Sequence, residues 1–139
     1  MKKLSLIEKA FFLKKTSIFK DLDLDMLLSV ADKLNQDVYD ANEDVFKKGQ
    51  KGNKIYFIAD GDVDIIENEL ILKKLKKTDF FGDETLFNEM PRSYHALCKS
   101  NCLILTLSKS SLMTIISECP HVAIILLKKY SKNITYAQE

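Results

Sequence analysis

The spacing of hydrophobic positions changes twice along the chain. Between 22 and 34, Leu22, Leu27, Val30, Ala31 and Leu34 recur at helical intervals with acidic residues opposite, which predicts an amphipathic helix. Ahead of it, Leu4, Ile7 and Phe11 share that spacing and predict a helix that packs these three side chains onto its own domain. The middle of the chain alternates instead. QDVYD, EDVFK, KIYFIAD, DVDII and LILKKL are short runs rich in Val, Ile, Tyr and Phe. Turn residues separate them at Asn42, Gly49 to Gly52, Asp60-Gly61-Asp62 and Glu67-Asn68. SYHALCKS and CLILTLS supply two further strands. From Ser110 helical spacing returns through Leu112, Ile115 and Ile116. Pro120 then opens a last helix expected over 120–136, carrying Val122, Ile125, Leu126, Lys129 and Tyr130. Helix, seven or eight strands and two helices predict a mainly β fold with flanking helices, an antiparallel β jelly-roll barrel.

Composition narrows the classes. With 139 residues the chain is expected to be one domain: a helical part over 1–35, the barrel over 36–109 and C-terminal helices over 110–139. A hydrophobic content of 46% is too high for a disordered chain, and no run of 18 uncharged apolar residues is present. The 21 basic residues are offset by 20 acidic ones, so a nucleic-acid partner is not expected. Charge is nevertheless blocked: residues 1–20 carry six lysines against Glu8, and 21–44 carry eight acidic groups against Lys33. Both blocks read as solvated faces, and Lys73, Lys74, Lys76 and Lys77 as a lysine-protected strand edge. Glu8 and Lys9 break the apolar N-terminal segment and no small-residue cleavage site follows, so no secretory signal or membrane attachment is expected. Cys98, Cys102 and Cys119 then read as reduced thiols of a cytoplasmic protein.

The chemistry concentrates in residues 78–93. Gly82 permits a tight turn, and Asp83, Glu84 and Thr85 suit the first turn of a very short helix whose free N–H groups attract an anion. Arg92 follows. It is the single arginine among 20 lysines, and a lysine-biased chain retains arginine where a planar, two-pronged donor is needed. Two occupants suit its fork, a phosphate or a neighbouring carboxylate of Asp83, Glu84 or Glu89. Competing chemistry is thin. His95 and Cys98 point to opposite faces of a strand and no further ligand stands at a metal-binding spacing, so no metal is expected. No nucleophile-and-base arrangement has supporting context, which predicts a non-enzymatic protein.

Phe81-Gly82-Asp83-Glu84-Thr85-Leu86-Phe87 followed by Pro91-Arg92-Ser93 resembles the aromatic-Gly-Glu-x-Ala-Leu and Pro-Arg-Ser pattern of cyclic nucleotide-binding domains, with the spacing kept. Ile55-Tyr56-Phe57-Ile58-Ala59-Asp60-Gly61-Asp62-Val63 resembles the family's Tyr-Phe-Ile-x-x-Gly-x-Val strand pair, and Phe19, Leu22, Tyr39, Gly49 and Gly52 agree with it. The resemblance covers residues 18–135. It implies a phosphate-binding segment over 81–93 in which Arg92 would pair with the cyclic phosphate and Asp83 would accept the ribose 2′-hydroxyl. Gly82 would lie against the sugar, backbone N–H groups at Thr85 and Leu86 would hold phosphate oxygens, and Ser93 would add a hydrogen bond. The last helix would be a lid, with Tyr130 stacking on the base. The chain departs from the pattern at Asp83, one methylene short, at Glu84 in place of an apolar residue, at Thr85 in place of alanine and at Tyr94 in place of a small residue. Family glycines are also replaced by Asn42 and Thr78, and threonine suits a left-handed turn poorly. The implied function is a cyclic nucleotide sensor, for cAMP rather than cGMP, that signals through its C-terminal helix to a protein partner or homodimer. The alternative is a degenerate fold serving as an interaction or scaffold module, its pocket filled by Tyr94 and Glu84.

Overall fold

The computed structural model describes residues 2–132. Two helices, α1 (Leu6–Lys14) and α2 (Leu24–Asp32), precede eight strands, β1 (Asn35–Tyr39), β2 (Asp44–Phe46), β3 (Lys54–Asp60), β4 (Val63–Glu67), β5 (Leu70–Leu75), β6 (Phe80–Phe81), β7 (His95–Cys98) and β8 (Cys102–Ser108). A single 3₁₀ turn (Asp83–Thr85) interrupts the strands, and α3 (Lys109–Glu118) and α4 (His121–Ser131) close the described chain. The strands form two antiparallel four-stranded sheets, ordered β1-β8-β3-β6 and β2-β7-β4-β5. The two sheets of a jelly roll are present, but they do not close into the expected barrel. Strand β6 was not foreseen, because its two residues lie inside the segment that the sequence marks as a loop.

Each element starts where its local chemistry allows. Ser5 and Glu8 form a capping box at α1, Asp23 accepts from the Met26 N–H at 2.9 Å, and Ser108 accepts from the Ser111 N–H at 3.1 Å. Pro120 occupies the N-cap of α4, at the expected start of the last helix. The residues after Lys132 lie outside the described residues, and so does the rest of the helix expected to reach 136. The β4–β5 hairpin turns through Asn68 and Glu69, both at positive φ, the conformation that matches the twist of the paired strands. Strand β5 lies at a sheet edge and carries Lys73 and Lys74.

Alternation along β8 splits the core in two. Leu103, Leu105 and Leu107 face the helices with Phe57 and Ile55, while Cys102 and Ile104 face the second sheet with Ile58, Phe81 and Cys98. Leu22, Leu27, Val30, Ala31 and Leu34 are buried as expected, and each leucine or valine contributes about 1.5–3 kcal/mol. Helix α1 differs. It buries Ala10, Phe12 and Leu13, while Ile7 and Phe11 are 43% and 58% exposed. The helix is apolar almost all round, so its spacing alone did not select the packed face. No single helix among the described residues is long and apolar enough to cross a membrane.

Candidate functional site

The segment between β6 and β7 is built on Gly82, whose φ of +86° is left-handed. A side chain here would also meet Tyr56 Cδ1 at 2.9 Å, the Lys54 carbonyl at 3.0 Å and Arg92 Nη1 at 3.1 Å. The 3₁₀ turn follows at once, and the Leu86 N–H donates to the Asp83 carbonyl at 3.1 Å. That amide is therefore satisfied internally rather than held open for a phosphate. The Thr85 hydroxyl donates to the Gly52 carbonyl at 2.9 Å, tying the turn to the loop before β3.

Arg92 is buried, 2% exposed, and its backbone is clipped to the same loop: its N–H donates to Gln50 at 2.8 Å and its carbonyl accepts from Gly49 at 2.7 Å. The guanidinium lies 4.3 Å from the centre of the Phe46 ring and 5.7 Å from that of Tyr56. Nη1 donates to the Gly82 carbonyl at 2.6 Å and Nη2 to the Lys54 carbonyl at 3.0 Å, while Nε has no partner. Among the described residues no carboxylate pairs with it, and Glu89 reaches Lys109 at 3.9 Å instead. The fork is thus occupied by backbone carbonyls, not by Asp83, Glu84 or Glu89. Its charge is left without an anion.

The two carboxylates beside Gly82 are each capped by a phenol. Tyr130 on α4 donates to Asp83 Oδ2 at 2.7 Å. Tyr94 on the segment entering β7 donates to Glu84 Oε1 at 2.6 Å and accepts from the Gly82 N–H at 2.9 Å. Glu84 is exposed as a residue, but its carboxyl end turns inward. Burial raises its pKa above the ordinary value, against the Tyr94 hydrogen bond, with the negative charge of Asp83 adding to the rise. Burial likewise drives both phenols well above the usual tyrosine range, so both are O–H donors. A hollow of about 370 Å³ lies beside this pair, lined by Ile65, Leu75, Phe81, Asp83, Glu84 and Tyr94. An apolar groove of about 680 Å³ runs between Phe87 and α4.

Gly82, Asp83, Glu84, Arg92, Tyr94 and Tyr130 therefore lie together in the fold. Ser93 is exposed and its hydroxyl makes no hydrogen bond among the described residues, and the Leu86 side chain is part of the core. Thr78 takes φ of +78°, so the turn before Phe80 keeps the glycine-like conformation despite a branched side chain. His95 pairs with Asp44 through Nε2, and among the described residues no three His, Cys, Asp or Glu side chains gather as a metal would require.

The sequence model for the cyclic nucleotide-binding domain matches residues 36–119, well over half of the chain and all of this site except Tyr130. The chain belongs to this family. It is 30% identical over 100 residues to a cAMP-dependent protein kinase regulatory subunit of Debaryomyces hansenii, covering 71% of this chain and 22% of that protein. It is 32% identical over 114 residues to a cGMP-dependent protein kinase of Caenorhabditis elegans, covering 77% of this chain and 15% of that protein. The chain thus spans about a fifth or less of these relatives. The N-terminal domain of a Streptomyces coelicolor transcriptional regulator superposes with a TM-score of 0.82 at 19% identity, covering 88% of this chain and 89% of that one, which shows the shared fold.

Within this cyclic nucleotide-binding domain, four contributors escaped sequence reasoning. Phe46 and Tyr56 flank the guanidinium, the Lys54 carbonyl takes one of its donors, and Gly52 makes room for it. A Cβ at Gly52 would stand 2.6 Å from Nη2 and 2.7 Å from Nε. The glycine itself was visible as a family glycine, but only as a turn residue; its closeness to Arg92 exists only once the loop is packed.

Proposed function

We propose that this domain is a cyclic nucleotide sensor that binds cAMP ahead of cGMP and signals through α4. The observation that carries the reading is the buried Arg92 guanidinium without an anion. A buried charge is ordinarily paired, and each terminal nitrogen of Arg92 has a second N–H beyond the one it gives to a carbonyl, the donors a phosphate would need. Asp83, next to Gly82 on the same turn, would accept the ribose hydroxyl. The acceptors Asp79, Asp83 and Glu84 on the adjoining hollow suit the exocyclic amino group of a purine, which adenine and guanine both carry. The relatives, named for cAMP and cGMP dependence, support a cyclic nucleotide as the ligand class. Helix α4, held to the 3₁₀ turn through Tyr130, is the element whose position a partner or a second copy would read.

A second reading rests on Tyr94. Its ring is 9% exposed, packs 5.3 Å from Phe46, and its hydroxyl occupies the Gly82 amide. A domain whose pocket is filled in this way would serve as an interaction or scaffold module. Calorimetry of the chain with cAMP and with cGMP separates the two. Saturable binding, tighter for cAMP, is expected from the sensor; no heat at high micromolar ligand leaves the module.

A further inference from the structure

The site is filled by hydroxyls of its own chain. We propose that Tyr94 and Tyr130 set the nucleotide affinity of this domain by occupying the polar positions a ligand needs, so that a nucleotide enters by displacing them. The proposal rests on the cyclic nucleotide reading above. Tyr130 presents an O–H donor to Asp83 Oδ2 at 2.7 Å, and a ribose hydroxyl would present the same donor to the same acceptor. The carboxylate has further lone pairs, but a donor already bound to Oδ2 draws off charge and weakens the next bond, so the two compete in strength.

Tyr94 is engaged in both senses. It accepts from the Gly82 N–H at the base of the phosphate-binding segment and donates to Glu84, which holds that carboxylate turned in toward the hollow. Incoming phosphate would meet an amide already taken and a carboxylate held close by, and both effects end when the phenol moves away. The two blocks sit on different elements. Tyr94 belongs to the chain entering β7, whereas Tyr130 belongs to α4 and is 40% exposed, beside an apolar groove that does not enclose it. Its inward orientation depends on the Asp83 bond. Displacement of Tyr130 therefore loosens α4 from the 3₁₀ turn, and ligand entry and helix release become one event.

Phenylalanine substitutions separate this role from base stacking, since they keep each ring and remove only the hydroxyl. Calorimetry with cAMP and cGMP on the full chain, Tyr94→Phe, Tyr130→Phe and the double variant gives the test. Each single variant is expected to bind about tenfold tighter, the scale of one hydrogen bond to a charged or buried partner, and the double variant to multiply the gains. A Tyr130 that only stacks on the base gives an unchanged affinity in Tyr130→Phe. Native binding with no gain in either single variant overturns the proposal and leaves the sensor reading standing. Binding by the variants but not by the native chain supports the proposal and overturns the native chain as a sensor. No binding by any of the four overturns both.

Discussion

Arg92 has a structural part that the sequence did not show, beside the ligand contact proposed for it. Its lone status suggested a residue kept for its planar fork, with a phosphate or a neighbouring carboxylate as the occupant. In the fold it also joins the Gly82 turn, the start of β3 and the loop at Gly52 through two carbonyl bonds and an aromatic floor. Lysine has no planar fork with which to reproduce these. Arg92 variants are therefore expected to perturb the scaffold as well as any ligand contact. Glu84 offers a cleaner probe. Its carboxyl has a raised pKa in the fold, so its stabilising share is complete below the ordinary value of 4.5 and is lost as pH rises through the higher folded value. Glu8 has the opposite sign: hydrogen bonding at Ser5 lowers it to about 2, and it loses its share as pH falls. Comparing native protein with Glu84→Gln cancels the Glu8 effect. Urea midpoints are expected to agree near about pH 4 and to separate in favour of Glu84→Gln toward about pH 7. A constant difference across that range would show that Glu84 ionises as freely in the fold as outside it.

At the scale of elements, α1 shows how a helix is legible while its packed face is not. LIEKAFFLK with its capping box specifies the helix, and Ile7 with Phe11 competes with Ala10 and Leu13 as the apolar stripe. Contact with α2 selects the second stripe and adds Phe12, leaving Ile7 and Phe11 in solvent. Phe12→Ala is accordingly expected to cost about 3–5 kcal/mol and Phe11→Ser no more than about 0.5 kcal/mol, measured by chemical denaturation. Equal costs would mean that α1 packs on the face first read from the sequence. The strands were more legible, because alternation in KIYFIAD and CLILTLS serves two cores at once and leaves little freedom of register. Strand β6 escaped because two residues carry no period.

For the whole molecule, the decisive feature is that β3 and β8 face the helical core on one side and the second sheet on the other. Loss of either core removes a wall of the other, so residues 1–139 are expected to unfold as one domain. Far-ultraviolet circular dichroism and tyrosine fluorescence should follow a single coincident transition in urea. Two separated midpoints would sink the single-domain assignment. The sequence by itself determined the order and kind of every element but β6, the tight turn at Gly82, the family and the arginine in its motif. These follow from propensity, periodicity and short spacing, which act between near neighbours along the chain. Only the tertiary structure decided what each polar group touches. Arg92 finds its carbonyl at Lys54 across 38 positions, and Tyr130 finds Asp83 across 47. Such pairings depend on where packing brings distant segments together, and local pattern carries no record of that distance.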